Sequence, residues 1–430
     1  MLLCVIIIVA KKKNRKEQCM NNTITNNLPL QPLLFSKSDI EECVFVPVKE
    51  NADVSRIEMK ELTSESLKEL LHDPEVWRRY FFSAPTEKEI EVASQWNTLG
   101  GILPYKVFSV NRIGRKGFSL SDILAVRVVM SIYKCNAHAA IETLKRSPNL
   151  RTITGMNKVP SDAVVSRKTN ELIDAVSVYD LHHMIVKAYF SDVTSLNISI
   201  DSTTIEAREK PVRTEKPEPK KRGRKKKGSE EERIYLAEQA EIQRIDELSK
   251  TGDVDEFLDT LKDKCSITGK KNSKGHMQWK IGYKAHIASD DRGIPVAFFT
   301  TGACVHDSNV AIPLIRKSKE VCTFSYVLMD GGYSSSDIED FTREAGYTPI
   351  IDFKANSKGE KREMTEDEKL RYKKRTTVER TNSELKECFL INKLYSRGAK
   401  AHFDIQLALL LLTVKKIREN LNKEQTEQAA

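Results

Sequence analysis

The sequence lacks paired cysteines. Its eight cysteines, at positions 4, 19, 43, 135, 265, 304, 322 and 388, are scattered, and no two make a C-x-x-C. That spacing argues against a disulfide framework and a structural zinc site, and reads as reduced thiols in a cytosolic setting. A membrane-spanning start is also missing. The first ten residues, MLLCVIIIVA, are apolar, but a spanning helix needs about 20. A secretory signal carries its positive charge ahead of the apolar run and a small-residue cleavage site behind it. Here KKKNRK follows the run instead. The segment is expected to be an unstructured or dispensable leader, with no stable membrane association. Residues 11–45 are polar, Asn-rich and aperiodic, which predicts disorder.

What is present is charge. Of 430 residues, 30% are charged and 40% hydrophobic, with a net charge of +9. The length suits two or three domains, and the basic excess points to a polyanionic partner. Residues 46–190 read as helices, with Ser or Thr placed ahead of Glu as start signals. Arg146, Arg151, Lys158, Arg167 and Lys168 within them suit either a helix-turn-helix DNA reader or a bundle with ordinary surface cations. In SLNISIDSTTIEA the alternation of Leu196, Ile198 and Ile200 predicts a half-buried strand ending at Asp201.

An insertion at about 206–270 then interrupts the pattern. Its first part, rich in Pro, Lys and Arg, has no apolar core and must be solvated. There Arg222 and Arg224 flank Gly223, as in an AT-hook whose guanidiniums enter a narrow minor groove; a flexible basic linker is the plainer alternative. A helix is expected over roughly 231–264. Asp290-Asp291-Arg292-Gly293 marks a hairpin, and a helix follows from about Ser308. The run SYVLM predicts a strand stopping at Asp330, DIEDFTREAG a helix, 347–353 a strand, and HFDIQLALLLLTVKKIREN a closing apolar helix. This is a mixed α/β domain.

Three carboxylates sit at informative places: Asp201 and Asp330 at strand ends, and Glu379 on a later helix. Acids at strand ends project into the crevice where such sheets place their sites. Converging carboxylates repel unless a cation joins them, and oxygen ligands suit magnesium, which as a pair can serve phosphoryl displacement. The bland alternatives are a turn or cap residue for each Asp, and an i,i+4 pair with Arg375 for Glu379. In RYKKRTTVERTNSELK, Tyr372, Arg375, Glu379 and Lys386 stand at offsets 0, +3, +7 and +14, one stripe of an α-helix. His286, His306, Tyr333 and Trp279 are lesser candidates, for which structural roles, core packing for the two aromatics, are expected.

The spacing Tyr372-x2-Arg375-x3-Glu379-x6-Lys386 resembles the Y-R-E-K signature of bacterial insertion-sequence transposases with a DDE catalytic domain. ISIDSTTI, GYKAHIASDDRGIPVAFFTTGACVHDS, VLMDGGYSS and SRGAKAHFDIQLALLLL are similar to that family's first-Asp strand, hairpin, second-Asp strand and closing helix. The resemblance spans roughly 115–420. It implies a ribonuclease H-like catalytic domain over 191–420 behind a helical region over 46–190, with a tail at 421–430. It also implies a metal-binding catalytic triad of Asp201, Asp330 and Glu379 using two Mg2+ ions, with Mn2+ able to substitute. Tyr372, Arg375 and Lys386 would grip DNA phosphates. The implied activity is cleavage and strand transfer at terminal repeats, by a homodimer on DNA in the bacterial, nucleoid-associated cytoplasm. A catalytically silent DNA-binding derivative and a metal-dependent nuclease of the same fold are the rival readings. One departure stands out: Glu379 lies only 49 positions after Asp330, so the long insertion some members carry there is missing.

Overall fold

The computed structural model describes residues 62–71, 81–103, 117–212, 229–271, 274–352 and 363–429. The leader, the hook-like run with Arg222 and Arg224, and the loop at 353–362 lie outside them. The chain divides into two compact units. The first takes in the described residues of 73–126 and 141–176; the second, those of 62–72, 127–140 and 177–430. The sheet-bearing unit thus includes 177–190, which the sequence grouped with the helical region.

In chain order the helices before the sheet are α1 (Ser64–Leu70), α2 (Glu87–Ile102), α3 (Leu120–Tyr133), α4 (Ala137–Arg146), α5 (Pro148–Ile153), α6 (Asp162–Ala175) and α7 (Val178–Phe190). The Thr-before-Glu signal is realised at α2, where Thr86 and Glu89 form a reciprocal capping box that satisfies two orphan N–H groups. In the first unit Glu89 also accepts from Asn149 Nδ2 at 3.3 Å. Two of the five cations that suited either a DNA reader or an ordinary bundle surface have structural work. Lys168 is buried and ion-paired with Glu171, and Arg151 donates to the Leu144 and Lys145 carbonyls at the end of α4.

The second unit is built on a six-stranded mixed sheet: β1 (Asn197–Glu206), β2 (Ser266–Lys271), β3 (Met277–Asp290), β4 (Pro295–Gly302), β5 (Tyr326–Met329) and β6 (Thr348–Ile351). The path β4-β3-β1-β5-β6 has antiparallel pairing from β4 to β1 and parallel pairing from β1 to β6. This is the mixed α/β, ribonuclease H-like architecture expected from the sequence. The strand β1 does not end at Asp201: it runs on to Glu206, because β3 continues to pair with it as far as Gly282. Gly282 is needed there, since a Cβ would lie 2.0 Å from the Ile205 carbonyl oxygen.

The insertion folds as two helices, α8 (Glu230–Lys250) and α9 (Val254–Thr260), followed by β2. A single helix to residue 264 was expected; the chain breaks at Thr251–Asp253, where Asp253 caps α9 through Glu256 N. Later come α10 (Ser308–Val321), α11 (Ser336–Glu344), α12 (Glu366–Tyr372), α13 (Thr376–Glu384) and α14 (Ala399–Ala429). The closing helix α14 buries Leu409, Leu410, Leu411 and Leu412 completely. At about 2 kcal/mol for each leucine removed from water, that run is a large part of the core.

Candidate active site

The parallel register brings the two Asp residues together. Ile200 pairs with Met329, and Asp201 and Asp330 are the next residues on the two strands. Adjacent strands lie about 4.8 Å apart, and residues in register point to the same face. The two carboxylates therefore stand side by side where β5 stops and β1 goes on. Asp330 also caps the 3-10 turn Gly331–Tyr333, accepting from Gly332 N at 2.8 Å. The cap role and the site role coexist.

The face that carries Asp201 is covered by the stretch from α12 to α13. Arg371 lies over the Tyr326 ring at 3.7 Å and donates to Asn197 Oδ1 at 3.3 Å. Thr381 Oγ1 donates to the Gly293 carbonyl at 3.2 Å. Asn382 Nδ2 donates to Asp201 Oδ2 at 2.8 Å. The Tyr372–Lys386 stripe is not on one regular α-helix. A 3-10 turn, Lys373–Arg375, separates α12 from α13, and a π-helical turn, Leu385–Phe389, holds Lys386. These windings shift the angles assumed from 100° per residue, and π turns often mark functional stretches.

The acidic residues feel one another's charge. Burial pushes the Asp201 carboxyl up to about 6, opposed by the Ser202 N–H and Arg375 and reinforced by the charges of Asp330 and Glu379. Each added negative charge makes ionisation of a half-desolvated carboxylate harder. Arg375 and Glu379 are in direct contact, and the Arg375 guanidinium lies 5.7 Å from the Tyr372 ring centre. The sequence reading separated Arg375 from Glu379 by role; the structure pairs them, as the i,i+4 spacing allows. Burial pushes the Tyr372 hydroxyl up to about 12. It also lowers Lys386, with the charge of Lys280 next in effect and Asp201 opposing.

For a divalent cation the donor chemistry fits, since all three groups are carboxylates. Among the described residues, however, no group of three His, Cys, Asp or Glu side chains closes around one point. Asp201 and Asp330 are gathered, while Glu379 is turned to Arg375. His286 is fully buried and hydrogen-bonds Thr301 Oγ1 at 2.9 Å; His306 bonds Ser308 on the surface. Tyr333 is core. All three match their structural reading, whereas Trp279, expected in the core, is 68% exposed.

One neighbour of the site was missed from sequence, and another, Asp307, was noted only alongside His306. Asn382 lies three positions after Glu379 and so on nearly the same helical side, a signal that was available. Asp307, whose place before a helix near the sheet end was legible, accepts from Lys284 Nζ at 2.8 Å and from Ser202, on the sheet face opposite Asp201.

No helix among the described residues is long and apolar enough to cross a membrane. No curated protein matches the chain. A chain in a cryo-EM structure of a piggyBac transposase synaptic complex with hairpin DNA shares 10% identity, with a TM-score of 0.37 over 82% of this chain and 76% of that one. A likeness that low carries no argument. The family described as "Transposase DDE domain" matches residues 195–414, just over half of the chain, from just before β1 through the first half of α14. The chain therefore belongs to the transposase DDE domain family.

Proposed function

We propose that this protein is a transposase of the bacterial insertion-sequence type, which binds the terminal repeats of its element, cleaves DNA there and joins the freed end to a target. The observation that carries the proposal is the side-by-side register of Asp201 and Asp330 under the helix bearing Arg375, Glu379 and Asn382. In the first step a water oxygen bonds to phosphorus and the P–O3′ bond breaks, leaving a 3′-hydroxyl on the element. In the second, that hydroxyl attacks a target phosphodiester, whose own P–O3′ bond breaks.

Asp201, Asp330 and Glu379 would hold magnesium, or manganese in its place. When bound, such a cation supplies activation of the attacking oxygen and neutralisation of the leaving one. The chain's own groups do the rest. Asn382 fixes the Asp201 carboxylate by its 2.8 Å hydrogen bond. Arg375 offers a planar fork and Lys386 a compact charge to the phosphates on either side of the scissile bond. Tyr372 packs under Arg375 and sets its plane. Arg222 and Arg224 remain proposed minor-groove contacts, and a homodimer would bring two ends together.

The test is a labelled duplex carrying the element's ends, incubated with purified protein and magnesium. End cleavage with joined product is the expected outcome. Glu379→Gln should abolish both while binding persists; strand transfer retained by that variant would remove Glu379 from the triad. Sequence-indifferent cutting without joining would make the protein a nuclease instead.

A further inference from the structure

The β2–β3 pair outgrows the sheet. Beyond Gly282 the strand β3 has left β1 behind and pairs with β2 from Ser266↔Gly282 to Lys271↔Met277, which makes a two-stranded ribbon. Its composition is unlike that of a solvated hairpin. Ile267, Met277, Trp279 and Ile281 are 46%, 45%, 68% and 37% exposed. The register Ile267↔Ile281 and Gly269↔Trp279 places all four on one face. The ring of Trp279 lies over Gly269, where a Cβ would come within 2.8 Å of its Cζ3. The glycine lets the indole lie against the ribbon and present its other side outward.

Charge and position say what the ribbon meets. From Cys265 to Ser289 the sequence has five lysines, at 270, 271, 274, 280 and 284, and no acidic residue. Lys270 and Lys280 both act on Lys386, which also feels Asp201, so the ribbon's root belongs to the electrostatic surroundings of the candidate active site. Asp201 pairs with Ile287, and alternate residues back along β3 (285, 283, 281, 279) keep to that face. Trp279 is eight residues from Ile287, or about 27 Å at the rise of a strand. A duplex rises about 3.4 Å per base pair, which makes that distance about eight base pairs. A two-stranded ribbon fits a major groove about 12 Å wide, where an apolar face can meet thymine methyls.

We propose that the β2–β3 ribbon is a DNA-reading arm. It enters the major groove about eight base pairs from the scissile phosphate, with Trp279, Met277 and Ile267 against base edges; Lys270 and Lys280 stand on the ribbon's other face, Lys280 3.9 Å from Glu206, and reach round its edges to the flanking phosphates. This rests on the transposase reading above.

The test uses the full chain and two fluorescein-labelled duplexes of mixed sequence, 30 and about 6 base pairs long, the shorter one unable to span the distance just derived. Trp279→Ala is expected to weaken binding of the long duplex about tenfold, with the short one unaffected and the salt slope unchanged. Trp279→Phe should recover most of the loss. Lys270→Gln with Lys280→Gln should lower the slope of log affinity against log salt by about two. Unchanged melting temperatures would separate these effects from misfolding. If the wild type binds the long duplex and the variants bind it equally well, the arm is refuted and the transposase reading stands. If the wild type binds no duplex, the transposase reading fails first. If Trp279→Ala instead converts a dimer to a monomer in sedimentation without changing DNA affinity, the face belongs to a second copy and the proposal is overturned.

Discussion

Asn382 holds one oxygen of a carboxylate that has every electrostatic reason to move. Asp201 is crowded by Asp330 and Glu379 and partly desolvated, and its Oδ2 is held by the Asn382 amide. A hydrogen bond to a charged group contributes about 1.5–3 kcal/mol. Asn382→Leu, of similar volume, should therefore slow cleavage by about tenfold or more while leaving the DNA dissociation constant as it was. A parallel loss of binding would mean that the helix itself had shifted. Individual residues were also where sequence reading fared worst. The types at Lys168, Arg151 and Trp279 suggested two exposed cations, DNA-facing or ordinary surface ones, and a core ring. The fold made the first a buried ion pair, the second a carbonyl-capping group and the third a surface ring. Residue type fixes what a side chain can do; its partners come from distant parts of the chain.

At the scale of elements, patterns with strong local causes were legible. The hairpin at Asp290–Gly293 is closed by Asp290, whose Oδ1 accepts from Arg292 N and Ile294 N. Gly293 adopts φ +81°, a conformation only glycine enters freely. The alternation at Ile198 and Ile200 marked β1, and the apolar run before Asp330 marked β5. Unread elements were those defined by a partner. The strand β2, SITGKK, holds one large apolar residue and exists through β3, and β1 runs past Asp201 for the same reason. The turn at Gly293 also seats α13, because Thr381 Oγ1 donates to its carbonyl. A Cβ on Gly293 would meet Thr381 Oγ1 at 3.3 Å and Thr377 Cγ2 at 3.4 Å. Gly293→Ala should thus destabilise the sheet unit by about 1–3 kcal/mol, read from urea unfolding. It should also reduce cleavage more than its stability loss explains, because α13 carries Glu379 and Asn382. An unaffected variant would show that the helix is seated by other contacts.

For the whole molecule, two fully buried imidazoles set the acid limit of the sheet unit. His182 Nε2 lies 3.0 Å from the Pro295 carbonyl, which can only accept, so the proton sits on Nε2. His286 donates to or accepts from Thr301, and its Nδ1 makes no hydrogen bond but lies 3.9 Å from Asp307 Oδ1. Burial pushes both rings down to about 3 from 6.5. Between those values the unfolded chain takes up protons that the folded one refuses, so stability rises with pH across the window and is lost as pH falls below 6.5. From pH 6.5 to 5 each ring should cost about 1.5 kcal/mol, or about 3 kcal/mol together. His402, also lowered by burial, adds to this trend. Asp201, pushed up to about 6, opposes it within this window, and Asp290, also raised by burial, acts in the same direction, since protonating a carboxyl whose folded value is raised favours the folded form as pH falls. Urea midpoints at pH 7, 6 and 5 should therefore fall steadily. In His286→Gln the fall should be cut by half or more, even if the variant starts lower at pH 7. A slope equal to wild type would place the acid sensitivity in other groups.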